Sequence, residues 1–241
     1  VSIYEISGLV SAIIQDSLSA SFKTPRPTVK FTIIPVTPYQ QNCSLIWCDA
    51  TGKAALVDPG GDVERLLREV EHHGVALEKI LLTHGHLDHV GGALELSRTL
   101  NLPILGPQKD DAFLLESLPA QAQMFGFPNT QAFVPAQWLQ HGEQVPVGEL
   151  ILDVIHCPGH TPGHVVFVDK TERIAFVGDV LFKGSIGRTD FPRGNHADLI
   201  QGIREKLFPL GDDIRFIPGH GPMSTFGHER LTNPFVGEQT A

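Results

Sequence analysis

Apolar and polar positions alternate between two patterns along most of the chain. VKFTIIPV (29–36), NCSLIWC (42–48) and KAALVD (53–58) are short runs rich in β-branched and aromatic residues, set apart by Pro and Gly. That is the composition of successive strands. DVERLLREVEHHG (62–74) follows a different spacing: Val63, Leu66, Leu67 and Val70 share one helical face and Gly74 supplies the stop. It predicts an amphipathic helix. Further helices are expected over VGGALELSRTL (90–100) and NHADLIQGIREKLFPL (195–210), the latter with Leu199, Ile203 and Leu207 on its apolar face. Residues 108–128, rich in Ala, Phe and Pro, read as a helical, flap-like insertion.

Residues 1–28 stand apart. Ile3, Ile6, Val10, Ile13, Ile14 and Leu18 fall near helical spacing before Ser and Pro break the pattern, which predicts a short helix and linker preceding a main domain over 29–241. Glu5 in place of a basic start and Asp16 within the apolar run argue against a secretory signal.

Five apolar runs end in a side chain able to bind metal. AALV leads to Asp58, KILLT to His84, LILDVI to HCPGH and His160, RIAFVG to Asp179, and IRFIPG to His220. In a layered α/β fold such strand ends share one rim, so residues far apart in sequence converge there.

The densest stretch is THGHLDH (83–89). His84 and His86, two apart in an extended segment, project their rings to the same side. Asp88 and His89 then open the next helix toward a second position. Asp88 as a helix cap and the histidines as ordinary surface residues is the plainer alternative. The coincidence with the other strand-end ligands favours metal. Imidazole and carboxylate donors without cysteine suit zinc, iron or manganese.

Composition narrows the setting. The chain has 241 residues, 41% hydrophobic and 19% charged, enough for one large globular domain with its own core. A formal charge of −9 disfavours nucleic-acid partners, and no apolar run reaches the roughly 18–20 residues of a membrane span. Cys43, Cys48 and Cys157, three in number, argue against a disulfide framework and for a cytoplasmic enzyme. Cys157 has no evident basic partner and reads as a buried thiol rather than a nucleophile. His72, His73, His141, His156, His196 and His228 read as structural.

In order along the chain, DPGG (58–61), THGHLDH, CPGHTPGH (157–164), GDVLF (178–182) and PGHGP (218–222) resemble the metallo-β-lactamase superfamily. The resemblance implies a four-layer αβ/βα sandwich with two divalent metal ions at one edge, zinc first among the candidates. By the family pattern His84, His86 and His160 would hold one ion, and Asp88, His89 and His220 the other. Asp179 would bridge them, and Asp58 would orient the ligand loop from behind. Asp88 and Asp179 are then the catalytic carboxylates. Two ions about 3.5–4 Å apart can share a water and deliver hydroxide to a carbonyl carbon. His164 is a candidate either to support the ligands or to face substrate.

A closer likeness is to the short bacterial form of the glyoxalase II group, carried by QNCSLIW, ILLTHGHLDHVGGA, FKGSIGRTDFPRG and PGHGPMSTFGHERLTNPF. It implies hydrolysis of a small-molecule glutathione thioester, S-lactoylglutathione. Lys183, Arg188 and Arg193 lie just beyond Asp179 and are candidate contacts for an anionic substrate tail; a solvated loop is the competing reading. Residues 221–241 have room for about one short helix. A C-terminal glutathione-binding helical domain is therefore not expected, and glutathione recognition should be reduced or differently built. The alternatives are broader ester or thioester hydrolysis, and the iron-dependent persulfide dioxygenases. The latter also carry GRTDF but would use one ion at His84, His160 and Asp179.

Overall fold

The first sheet grows directly from the runs identified above. A computed structural model describes residues 26–127 and 130–238; the helix expected near the N-terminus lies outside the described residues. Strands β1 (Val29–Val36), β2 (Gln41–Cys48), β3 (Lys53–Val57), β4 (Ala76–Leu81) and β5 (Ile104–Leu105) form a sheet in that order. The first three are antiparallel, and the last three parallel. A second sheet takes β6 (Gln144–Val147), β7 (Leu150–His156), β8 (Val165–Asp169), β9 (Ile174–Gly178), β12 (Arg215–Pro218) and β13 (Ser224–Thr225). Its order is β13-β12-β9-β8-β7-β6. Between β9 and β12 lies a small hairpin, β10 (Leu181–Phe182) with β11 (Ser185–Ile186).

Period-two burial on both strand faces dictates the layers. In β9, Ile174 and Phe176 enter one apolar cluster while Ala175 and Val177 enter another. Strands buried on both faces need cover on both sides. The first cluster lies between the sheets, where Ile46, Val57 and Leu81 meet Val154, Phe167 and Ile217. Behind the first sheet, Leu45, Leu56 and Ile80 pack on α1 (Val63–His73), α2 (Leu87–Val90), α3 (Ala93–Leu100), α4 (Ala112–Glu116) and α5 (Leu118–Phe125) through residues such as Leu66, Val90, Leu96, Leu115 and Leu118. Behind the second, Val166 and Val177 pack on Leu199 of α6 (His196–Gly202) and Phe226 of α7 (Phe226–Thr232). The order is helix, sheet, sheet, helix: an αβ/βα sandwich. No helix among the described residues is long and apolar enough to cross a membrane.

Two helices depart from expectation. The run predicted over 90–100 is divided, α2 ending before Gly91 and α3 starting at Ala93. A Cβ on Gly91 would fall 2.6 Å from the Gly60 carbonyl oxygen, and one on Gly92 would fall 2.9 Å from that of Pro59. The two glycines thus admit the DPGG loop against the helix start. The late helix keeps α-geometry only over His196–Gly202, then widens to a π-turn over Ile203–Leu207 and tightens to a 3₁₀ turn over Phe208–Leu210. Leu199, Ile203 and Leu207 are nonetheless all buried, so the apolar face survives the change of winding.

Strand direction sets where the ligands emerge. β3 and β4 are parallel. β7 and β9 are each antiparallel to β8, and β9 is parallel to β12. Asp58 and His84 therefore leave the first sheet at the same edge, as His160, Asp179 and His220 leave the second. Backbone bonds from Asn42 N to Gly219 O (2.7 Å) and from Val165 N to Thr83 O (2.8 Å) join the sheets there.

Candidate metal centre

All seven proposed ligands meet at this edge. Donor atoms of His84, His86 and His160 lie within 4.8 Å of one another, as do those of Asp88, His89 and His220. Asp179 lies between the groups. Its Oδ1 is 3.4 Å from His89 Nε2, and its Oδ2 is 3.6 Å from His160 Nε2 and 3.8 Å from His220 Nε2. Asp88 Oδ2 is 3.2 Å from His220 Nε2, and His86 Nδ1 is 3.0 Å from His160 Nε2.

In three of the rings, His84, His89 and His160, the nitrogen that faces away from the centre is fixed by a hydrogen bond. His160 Nδ1 donates to the Arg188 carbonyl at 2.8 Å, leaving Nε2 free to ligate. Thr83 Oγ1 donates to Asp58 Oδ2 at 2.6 Å and lies 3.0 Å from His84 Nδ1, so the hydroxyl accepts from that ring nitrogen. Asp58 Oδ2 is also 3.0 Å from His89 Nδ1, and its Oδ1 accepts from the Thr83 amide at 2.7 Å. Such partners fix ring orientation and raise ligand basicity. Asp58 thus contacts His89 directly and His84 through Thr83. His164 is fully buried, stacks on His84 with ring centroids 4.7 Å apart, and accepts the Asp179 amide at 3.1 Å. It lies behind His84 and Asp179 and does not line the cavity that opens onto the centre.

The unmatched atoms test whether a cation fits. His84 Nε2, His89 Nε2 and Asp179 Oδ1 are buried without a hydrogen-bond partner, a costly condition for polar atoms. All three are of the atom types that donate to a metal. Burial drives His84 well below its usual range, His89 and the other imidazoles adding to the effect; burial and His160 bring His86 down to about 3. Burial would lower His89 too, but Asp179, Asp88 and Asp58 outweigh it and raise this ring. Burial opposes ionisation of Asp179, yet His89, His160 and His220 hold its carboxyl well below the usual carboxylate range. Neutral His84 and His86 and an ionised Asp179 are ligating forms, while His89 must give up a proton to an incoming ion.

A cavity of about 520 Å³ opens onto the centre. His86, Asp88, His160, Asp179 and His220 form its polar floor, and Leu87, Phe125, Phe182, Ile186 and Phe191 much of its wall. Arg188 lines it, but its guanidinium binds Asp190 through two contacts of 2.9 and 2.7 Å and lies 4.6 Å from the Phe191 ring centre. Lys183 and Arg193 are not brought to the cavity: Lys183 is exposed on the β10–β11 turn, and Arg193 lies over the Phe113 ring at 4.2 Å. The insertion at 108–128 contributes Gln121, Phe125 and Phe127 to the wall. Cys157 is fully buried, its thiol pushed by burial up to about 12.

Two contributors carry no motif of their own in the sequence. Thr83 gave no signal beyond its place before His84. Asp111 lies in the insertion, fully buried, and accepts bonds from both histidine-bearing loops. A buried aspartate in a helical insertion has no motif to mark it.

The metallo-beta-lactamase superfamily model matches residues 36–220. Hydroxyacylglutathione hydrolase GloC of Haemophilus influenzae is 52% identical over 209 residues, covering 86% of this chain and 98% of the relative. Among solved structures, the BLEG-1 B3 metallo-beta-lactamase superposes with a TM-score of 0.79 at 35% identity, covering 86% of this chain and 99% of that one. TTHA1623 in a di-iron-bound form gives 0.77 at 36% identity, covering 85% and 99%. With its sandwich fold and its ligand set in family order, the chain belongs to the metallo-β-lactamase superfamily.

Proposed function

We propose that this enzyme is a metal-dependent thioester hydrolase acting on S-lactoylglutathione, releasing a 2-hydroxy acid and glutathione. The observation that carries the reading is the gathering of His84 Nε2, His89 Nε2 and Asp179 Oδ1, buried and unpartnered, at one centre, with Asp179 also on the cavity floor. The 52% identity to a hydroxyacylglutathione hydrolase supports the substrate class.

His84, His86 and His160 would hold one ion, Asp88, His89 and His220 the other, and Asp179 both. Zinc is the first assignment on the chemistry of the donors; iron is the next, since TTHA1623 is known in a di-iron form, and manganese also suits such ligands. When bound, the pair supplies Lewis acidity toward the thioester carbonyl and acidifies a water toward neutrality. Asp88 and Asp179 border the cavity, where Asp88 would take the proton that the attacking water gives up. Phe182, Ile186 and Phe191 exclude bulk water from the acyl group. The water oxygen bonds to the carbonyl carbon, the carbonyl then re-forms as the C–S bond breaks, and the thiolate, a weak base, leaves without a dedicated acid. Arg188, at the wall, would steer the anionic end of the thiol. The three buried, free cysteines fit a cytoplasmic setting.

A second reading, thioester hydrolysis beyond glutathione conjugates, is favoured by the wall itself. It is mostly apolar, and Arg188, its one Arg or Lys among the described residues, is already paired with Asp190. The gathering of Asp88, His89 and His220 into a second position disfavours a single-ion dioxygenase. The test is thiol release from S-lactoylglutathione and from a neutral thioester, beside oxygen uptake with glutathione persulfide. Thiol release without oxygen uptake supports the proposal; oxygen uptake without hydrolysis overturns it.

A further inference from the structure

The three histidines of the first position come from two loops. His84 and His86 follow β4, whereas His160 follows β7. One side chain ties the loops together. Asp111 is fully buried in the 3₁₀ turn Lys109–Asp111. Its Oδ2 accepts from the Gly85 amide at 2.9 Å and from Thr161 Oγ1 at 2.8 Å, and its Oδ1 accepts from the Gly163 amide at 2.6 Å. Gly85 sits between His84 and His86, and Thr161 and Gly163 follow His160. The fit is steric as well as polar. A Cβ on Gly85 would lie 2.8 Å from Leu114 Cβ, and one on Gly163 would lie 2.6 Å from the Asp111 amide nitrogen. Gln108 N also donates to Gly163 O at 2.9 Å. No comparable contact joins this carboxylate to Asp88, His89 or His220.

We infer that Asp111 is a positioning residue for the His84–His86–His160 position alone, and that its loss weakens metal binding there while the Asp88–His89–His220 position keeps its ion. The inference rests on the assignment of these two triads as metal positions under the proposed function. Asn in place of Asp111 keeps the shape and one acceptor oxygen, but turns an NH₂ toward the Gly85 amide or the Gly163 amide. One loop is released, and three imidazoles that must meet within a few tenths of an ångström no longer do.

The test is zinc titration against a competing chelator on metal-free wild type and Asp111→Asn, with metal counted after dialysis and thermal unfolding of both metal-free proteins. The expected result is two ions in wild type. In D111N one affinity falls about 10- to 100-fold and the other changes less than about twofold. The ion that D111N retains should be lost on adding His220→Ala and kept on adding His86→Ala. Equal weakening of both positions, or a lowered metal-free unfolding midpoint with both affinities unchanged, would make Asp111 merely structural and overturn the inference. Wild type that binds fewer than two ions would instead overturn the metal assignment. Should D111N fail to fold, Thr161→Val removes one donor and leaves the carboxylate in place. A selective weakening of the same position supports the inference, and none overturns it.

Discussion

Asp58 Oδ2 lies 3.0 Å from His89 Nδ1, while the same carboxylate takes both the amide and the hydroxyl hydrogen of Thr83. One residue outside the metal positions therefore orients rings on both sides of the centre: His89 directly, and His84 through Thr83 Oγ1. Replacing Asp58 with Ala should lower zinc affinity about 10- to 100-fold. It also leaves the Thr83 amide without its acceptor, at a stability cost of about 1–3 kcal/mol. Chelator competition and chemical unfolding of the metal-free protein check the two effects separately.

Arg188 touches the cavity with a guanidinium already bound to Asp190. Arg188→Ala should raise KM for S-lactoylglutathione several-fold and leave kcat within about twofold, because uniform binding is lost without change to the reacting carbonyl. For a neutral thioester KM should not move. An unchanged KM for S-lactoylglutathione would return Arg188 to a solvated loop.

Cys157 and Cys43 are fully buried, and burial raises both thiols, that of Cys157 to about 12. Alkylation by iodoacetamide should leave both unmodified in the native protein and modify both after denaturation. Cys157→Ala should retain full thioester turnover at a stability cost of about 1 kcal/mol. Loss of turnover with the fold intact would restore Cys157 as a nucleophile.

Burial pushes Asp111 up to about 6, against the bonds from Thr161, Gly163 and Gly85. With the folded value above the ordinary one near 3.8, the folded protein retains a proton that the unfolded chain has lost between about pH 4 and 6. Stability from this group is therefore greatest below that window and declines as pH rises through it. Relative to Asp111→Asn, metal-free wild type should lose about 3 kcal/mol across it. Unfolding midpoints of the two proteins at several pH values give the difference, and other titrating groups cancel in it. A flat difference would contradict the raised value.

How much of this was legible in the sequence follows from what each feature depends on. The strand-end ligands announce themselves because a metal demands particular residue types, and β4, β7, β9 and β12 each carry buried apolar residues near the end where the ligands begin. Asp58 was legible by its place after β3. Asp111 and Thr83 were not, since their roles arise from backbone amides and hydroxyls brought close only by the folded loops. Arg188 stands out by its charge, yet its best-defined bond to the site is through its carbonyl, which any residue supplies. The π-turn after α6 was illegible for a related reason: Leu199, Ile203 and Leu207 have helical spacing however tightly the backbone between them winds.

The proposed centre is two ions held together by Asp179, and the most direct measurement counts metal and turnover on the same preparation. Zinc-loaded wild type should hold two ions per chain and release thiol from S-lactoylglutathione, and Asp179→Ala should remain folded by circular dichroism with hydrolysis abolished. Full turnover by protein holding a single ion, or near-normal turnover by Asp179→Ala, would contradict it.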